Sequence, residues 1–168
     1  ENLFSDCLVA VDARTGEYIW HYQLIHHTLW NYDPPAAPIL LDVTIDGELR
    51  KIVVQVTKQS YAYVFDRITG EPIWPIEERP APASDVEGEV TSPTQPHPTR
   101  PAPYDRQGFT VDDLIDFTPE LREQALQELG DRRTGPLYTP PSLGGSVQMP
   151  GELGGADWVG GAVDPTTG

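Results

Sequence analysis

The sequence holds a single cysteine, Cys7, among 168 residues. An internal disulfide is therefore excluded, and Cys7 reads as a small apolar side chain rather than a reactive thiol. Positive charge is scarce: 11 Lys and Arg stand against 26 Asp and Glu, for a net charge of −15. Nucleic-acid binding rests on basic residues meeting phosphates, so no nucleic-acid partner is expected. No apolar run approaches the roughly 20 residues of a membrane-spanning helix. A glycine-rich phosphate loop, a nucleophile elbow and a zinc-spaced His/Cys cluster are all missing, which removes the commonest enzyme motifs. What is abundant is 15 Gly and 18 Pro, well above ordinary usage and a sign of long turns and loops.

Both ends read as cut. The chain starts without Met or a signal peptide, enters a strand pattern at Cys7, and stops at Gly168 just after a turn begins, so the expectation is an internal fragment of a longer protein.

A repeat organises what lies between. Val11-Asp-Ala-Arg-Thr-Gly-Glu-Tyr-Ile-Trp20 recurs as Phe65-Asp-Arg-Ile-Thr-Gly-Glu-Pro-Ile-Trp74, and a third copy opens at Val163-Asp-Pro-Thr-Thr-Gly168. A strand ends at each Asp, whose side chain can cap the turn; Thr-Gly supplies a corner at positive φ, and a second strand leaves toward the Trp. Strand patterns over 37–45, 51–56 and 61–65, with an Asp46-Gly47 turn, fill the interval with about four strands per repeat, the arithmetic of a propeller blade. Residues 8–74 should thus form about one and a half blades, with Trp20 and Trp74 at equivalent positions as inter-blade packing residues. Two blades and a stub have few places to bury their faces, so the remaining blades should be needed for a stable domain.

The third copy is delayed by an insertion over 75–140. Its first part, Pro75–Pro103, reads as an extended, polyproline-like surface loop. Thr110 should cap one helical turn. A longer helix should start at Thr118, with Pro119 at its first position and Gly130 at its end; Leu121, Ala125 (with Leu126) and Leu129 give it one apolar face, as suits a solvated helix docked on the domain or, alternatively, one that binds a partner.

Chemistry-bearing residues concentrate in Trp20-His-Tyr-Gln-Leu-Ile-His-His-Thr-Leu-Trp-Asn-Tyr-Asp33. Lys58 follows in a loop between two strands, and Gly154-Gly-Ala-Asp-Trp158 lies near the end. His26 and His27 are adjacent, and neighbours on a strand face opposite sides, so they should not chelate one ion; one suits hydrogen bonding near a substrate and the other a structural place. Paired glycines let backbone approach a ligand and are also ordinary turn material.

These segments resemble the quinoprotein dehydrogenases, specifically the branch that includes membrane-bound glucose dehydrogenase, whose segment reads His-His-Asp-Leu-Trp-Asp-x-Asp. This chain has Thr28 and Asn31 at the first two acidic positions and keeps Asp33. The Asp-x-x-Thr-Gly-x-x-x-Trp repeat is similar to the tryptophan-docking motif of the eight-bladed quinoprotein propeller. The resemblance implies an all-β fold: part of an eight-bladed propeller, roughly two blades, interrupted by the partly helical insertion. It also implies pyrroloquinoline quinone (PQQ) with a divalent cation, usually calcium, an aldose or polyol substrate, a quinone electron acceptor, and a periplasm-facing, membrane-associated parent protein. Residue by residue, it puts Asn31 at the position of the catalytic base and Lys58 on the quinone oxygens. Asp157 and Trp158 fall at the cofactor rim, and His26 and His27 near substrate. The cation ligands belong to blades outside this chain, so no metal ligand is expected here.

An amide can orient a substrate but does not accept a proton at neutral pH. Asp33 stands two strand rises away, about 7 Å, which argues against its replacing the acid. A second reading follows from Asn31: a propeller of the same fold that has lost catalysis and serves as a binding or assembly module.

Overall fold

The computed structural model describes residues 2–167. Its corners are built by the repeated aspartates. Asp12 Oδ1 accepts the backbone N–H groups of Arg14 (2.8 Å) and Thr15 (3.0 Å), and Asp66 Oδ1 accepts those of Ile68 (2.8 Å) and Thr69 (3.0 Å). Those donors favour the ionised form and hold the Asp12 carboxyl below its ordinary range. Gly16 and Gly70 close the two corners at φ +74° and +77°, a region open to glycine at no steric cost. Asp164 repeats the device on the N–H of Thr166 at 2.8 Å; the last residue of that third copy, Gly168, lies outside the described residues.

Strand β1 (Cys7–Val11) pairs antiparallel with β2 (Tyr18–Gln23). Strands β3 (Ile39–Ile45), β4 (Glu48–Val56) and β5 (Ala62–Asp66) form a second antiparallel sheet in that order. Asp46 and Gly47, at φ +53° and +82°, join β3 to β4 through the expected two-residue turn. These are two neighbouring partial blades.

The two repeat tryptophans are not equivalent, contrary to the sequence expectation. Trp20 lies inside β2 and is buried, its indole pressed on the bare Cα side of Gly70 and its Nε1 donating to the Arg67 carbonyl at 3.3 Å. The second copy pairs only through the Phe65–Pro72 bridge, and Trp74 sits half-buried in a bend. Pro72 stands where the first copy has Tyr18 and takes a pair that exchanges no backbone bonds, the ladder bonds Asp66 N to Glu71 O and Ile73 N to Val64 O falling on either side of it; the pairing ends after Ile73. Trp74 instead lines an open apolar trough with Leu41, Val43, Val54, Val64 and Val163.

The insertion also departs from expectation. Within Pro75–Pro103, β6 (Ile76–Pro80) and β7 (Thr94–Pro98) form a two-stranded antiparallel sheet, and β7 is largely buried. Pro80, Pro96 and Pro98 occupy alternate positions, while the flanking backbone bonds Ala81 N to Pro93 O and Thr99 N to Pro75 O fall on the other parity. Half the pairs of such a ladder exchange no bonds, and the prolines take that half. Beyond it, η1 (Val111–Asp113) precedes α1 (Pro119–Leu129). Thr118 Oγ1 accepts the N–H of Leu121 at 3.3 Å, and Gly130 closes the helix. The helix is solvated, with no buried residue: Leu121 and Leu126 are exposed, and Ala125 and Leu129 border an open trough with Phe109, Leu114 and Val147. Among the described residues no helix is long and apolar enough to cross a membrane.

The core joins these parts. Leu24, Ile25, Trp30, Tyr63, Phe65 and Tyr138 pack in one cluster drawn from both blades and the insertion. Cys7 is half-buried in β1, where burial, with Asp6 beside it, pushes the thiol up to about 11 and keeps it unreactive. His97 of β7 faces Tyr61 Oη at 2.6 Å, and burial, with Arg79 nearby, lowers its pKa to about 4.

The corners generate one prediction. Gly16 and Gly70 share a backbone conformation, but a Cβ meets nothing at Gly16 and lies 2.5 Å from Trp20 Cδ2 at Gly70. Thermal melting should show Gly16→Ala costing about 1 kcal/mol and Gly70→Ala about 2–4 kcal/mol, the difference being overlap with the indole. Equal losses would remove the indole from the argument. A second prediction concerns acid. The unfolded chain protonates His97 near pH 6.5 and the folded chain only near 4, so the unfolded state binds more protons in between and stability declines as pH falls through that window. His97→Gln, which retains an acceptor for Tyr61, should make urea midpoints less sensitive to pH between 6.5 and 4.5 than the unaltered chain; unchanged sensitivity would contradict it.

Candidate functional site

Two loops and one late segment meet at Lys58. After β2 the chain bends at Trp30 and Asn31 and runs on to Asp33 outside any strand, with burial alternating residue by residue. Trp30 and Tyr32 turn inward: Trp30 Nε1 donates to the Thr139 carbonyl at 2.9 Å, Tyr32 Oη donates to the Pro150 carbonyl at 2.5 Å, and both rings pack on Tyr138. Burial pushes the Tyr32 phenol up to about 12, so it stays a neutral donor. Asn31 and Asp33 are thereby turned to the exposed side.

Across from them, the turn between β4 and β5 carries Lys58. Turns usually lie on the surface, yet residues Thr57 to Ser60 are all buried. Burial is possible because each carbonyl finds a donor. Tyr104 Oη donates to Thr57 O (2.6 Å), Gly155 N to Lys58 O (2.9 Å), Gln107 Nε2 to Gln59 O (2.7 Å) and Tyr104 N to Ser60 O (3.0 Å). The Gly154-Gly155 pair is explained here by close approach to protein rather than to a ligand. A Cβ at Gly154 would lie 2.5 Å from Lys58 Cα, and one at Gly155 2.1 Å from Ser60 Oγ.

The clamped turn aims the Lys58 ammonium at Asn31 Oδ1 and Asp33 Oδ1, both at 2.7 Å. The Lys58 side chain is 8% exposed and that of Asp33 59%, so a buried cation meets a solvated carboxylate at the edge of the fold. Lys58 uses two of its three donors on these partners. A donor set of one free ammonium N–H and the Asn31 amide N–H suits an anionic, oxygen-bearing planar ligand such as a carboxylated quinone. Asp157 is half-buried and accepts the Trp158 N–H at 2.8 Å; the Trp158 ring is exposed, close in sequence to the glycines that cover Lys58.

The histidines separate. His26 is half-buried, with Nδ1 2.6 Å from Gln23 Oε1 and Nε2 3.0 Å from Glu78 Oε1. Gln95 pins the same residue by its backbone, accepting the His26 N–H (2.9 Å) and donating to the His26 carbonyl (2.6 Å). His27 is exposed, at φ +44°. The structure therefore brings Asn31 and Lys58 together, with Gly154 and Gly155 over Lys58, while His26 is tied to the insertion. Among the described residues no three His, Cys, Asp or Glu side chains converge as a metal site.

Asp33, weighed in the sequence and set aside as too far from position 31, shares the Lys58 ammonium with Asn31. Sequence reasoning missed Tyr104, Gln107 and Gln95, which gave no signal because each acts on backbone far away in sequence.

Comparison with known proteins identifies the family and the fold. The family model described as "Glucose/ethanol/alcohol dehydrogenase, beta-propeller domain", a PQQ family, matches residues 1–168. A quinoprotein glucose dehydrogenase of Gluconobacter oxydans is 40% identical over 170 residues, covering 96% of this chain and 20% of that protein. A quinate/shikimate dehydrogenase (quinone) of Acinetobacter baylyi is 34% identical over 167 residues, covering 99% and 21%. A europium-containing methanol dehydrogenase structure superposes with a TM-score of 0.58 at 20% identity, covering 97% of this chain and 22% of that one, a likeness of fold. The chain spans about a fifth of the length of these relatives.

The clamp can be tested without any ligand. Gly154 has φ +71° and no room for a Cβ, whereas Gly151 has nothing within 4 Å. Gly154→Ala should lower stability by about 2–4 kcal/mol and Gly151→Ala by less than about 0.5 kcal/mol in denaturant melts. Similar small effects at both would show that the approach to Lys58 is loose.

Proposed function

This chain belongs to the PQQ-dependent glucose/ethanol/alcohol dehydrogenase propeller family, and from that premise we propose that it supplies one side of the cofactor and substrate site of a dehydrogenase oxidising an aldose or polyol. The observation that carries the proposal is the buried Lys58 ammonium, held at 2.7 Å by Asn31 and Asp33 with a donor to spare. A compact cation stabilises negative charge that builds on a quinone as it is reduced. PQQ supplies the two-electron oxidation when bound, with calcium held by other parts of the parent protein. Lys58 contacts its quinone oxygens, Asp157 and Trp158 border it, Asn31 orients the substrate hydroxyl, and His26 and His27 lie on the substrate side. Electrons pass on to a quinone acceptor, in a membrane-associated, periplasm-facing parent. Support comes from the relatives' names, which cover glucose, glycerol and quinate dehydrogenases.

The rival reading, a propeller kept for binding or assembly, draws on the amide at Asn31. Quinone titration separates the two. The full-length protein should bind PQQ with calcium stoichiometrically and oxidise aldoses or polyols with an artificial acceptor. Lys58→Ala should weaken quinone binding by about 10–100-fold, the worth of one charged hydrogen bond. This 168-residue chain alone should bind weakly, since most of the preorganised site lies elsewhere. Stoichiometric quinone binding without turnover on any alcohol would favour the rival, and absence of quinone binding by the full-length protein would defeat the proposal.

A further inference from the structure

An ammonium has only hydrogen-bond donors, so the amide atom of Asn31 that faces Lys58 at 2.7 Å must be its oxygen. That fixes the other end. The Asn31 NH2 group points away from Lys58 and can only donate to whatever occupies the open side. Asp33 reaches the same ammonium through Oδ1 alone; its Oδ2 has no protein partner among the described residues, and the side chain is 59% exposed. The two acceptor oxygens at residues 31 and 33 are thus within two hydrogen-bond lengths of each other, bridged by one cation. On extended backbone residues 31 and 33 would stand about 7 Å apart; here the chain bends at Asn31, and Lys58 bonds both side chains.

Resting on the dehydrogenase reading above, we propose that Asp33 is the group that takes the substrate hydroxyl proton, and that Asn31 holds the substrate oxygen as a hydrogen-bond donor. The step balances with the ortho-quinone cofactor as oxidant. The substrate O–H bond breaks with its proton passing to Asp33 Oδ2. The C–H bond breaks with its hydrogen and electron pair passing to the quinone, and a C=O bond forms. Asp33 fits the first part on three counts. It is a carboxylate, one oxygen is free and solvated for returning the proton to water, and the pairing with buried Lys58 fixes where the free oxygen points. His26 is unsuited, since both ring nitrogens already face Gln23 and Glu78.

The test uses the full-length protein loaded with PQQ and calcium, and reads quinone affinity by absorbance titration beside turnover. Asp33→Asn should lower kcat with an artificial acceptor by about 10²–10⁴-fold, the usual worth of a general base, and leave quinone affinity within about threefold. Asp33→Glu should retain the acid limb of the kcat/KM pH profile, and Asp33→Asn should lose it. Adding Asn31→Asp to Asp33→Asn should restore at least about tenfold in kcat, because a carboxylate returns to the same ammonium. Turnover of Asp33→Asn within about threefold of the unaltered protein would overturn the assignment. So would a parallel loss of quinone affinity, which would make Asp33 an anchor of Lys58 only. Failure of every variant and of the unaltered protein to bind quinone would instead defeat the dehydrogenase reading, and this inference with it.

Discussion

A lysine ammonium withdrawn from water is costly unless it is paired, and Lys58 is buried with an exposed carboxylate and an amide as its partners. Much of the surrounding structure follows from holding that arrangement. The backbone of a buried turn must have its carbonyls satisfied, and the donors come from Tyr104, Gln107 and Gly155. The partners must be turned outward, which the inward anchoring of Trp30 and Tyr32 achieves. The insertion is therefore more than an appendage: it closes the Lys58 turn through Tyr104 and Gln107 and fixes the His26 loop through Gln95.

What was legible in the sequence was local or carried by the repeat. The Asp-x-x-Thr-Gly corner encodes its own side-chain acceptor and its own positive-φ glycine, so three residues suffice to specify it. The Asp46-Gly47 turn and the Thr118–Gly130 helix are legible for the same reason, since their stop and start signals lie within a few residues. Lys58 and Asn31 were legible only through family resemblance, because a loop lysine and a turn asparagine have no distinguishing local pattern.

What was not legible depends on long-range pairing. Proline density in Pro75–Pro103 argued for an unpaired extended loop, but the spacing of Pro80, Pro96 and Pro98 by two lets them sit at the silent pairs of a ladder. The equivalence expected of Trp20 and Trp74 failed because repeat identity fixes a corner and not what the following strand meets. The second ladder ends after Ile73, and Trp74 turns to a different surface.

The Asn31 position shows how a substitution is to be read with its neighbours. Considered alone, an amide where the family has a carboxylate removes a proton acceptor. Considered with Lys58, it removes one of two negative charges from beside a buried cation, and the other remains on Asp33 at 2.7 Å. The cation is therefore still matched, and the site retains one carboxylate and gains one fixed pair of N–H donors. An uncompensated loss would have left a buried ammonium facing only neutral oxygens, an arrangement that costs several kcal/mol. The fold shows no such imbalance, so relative to the resembled segment the site has lost one of two carboxylates, and the retained Asp33 matches the cation.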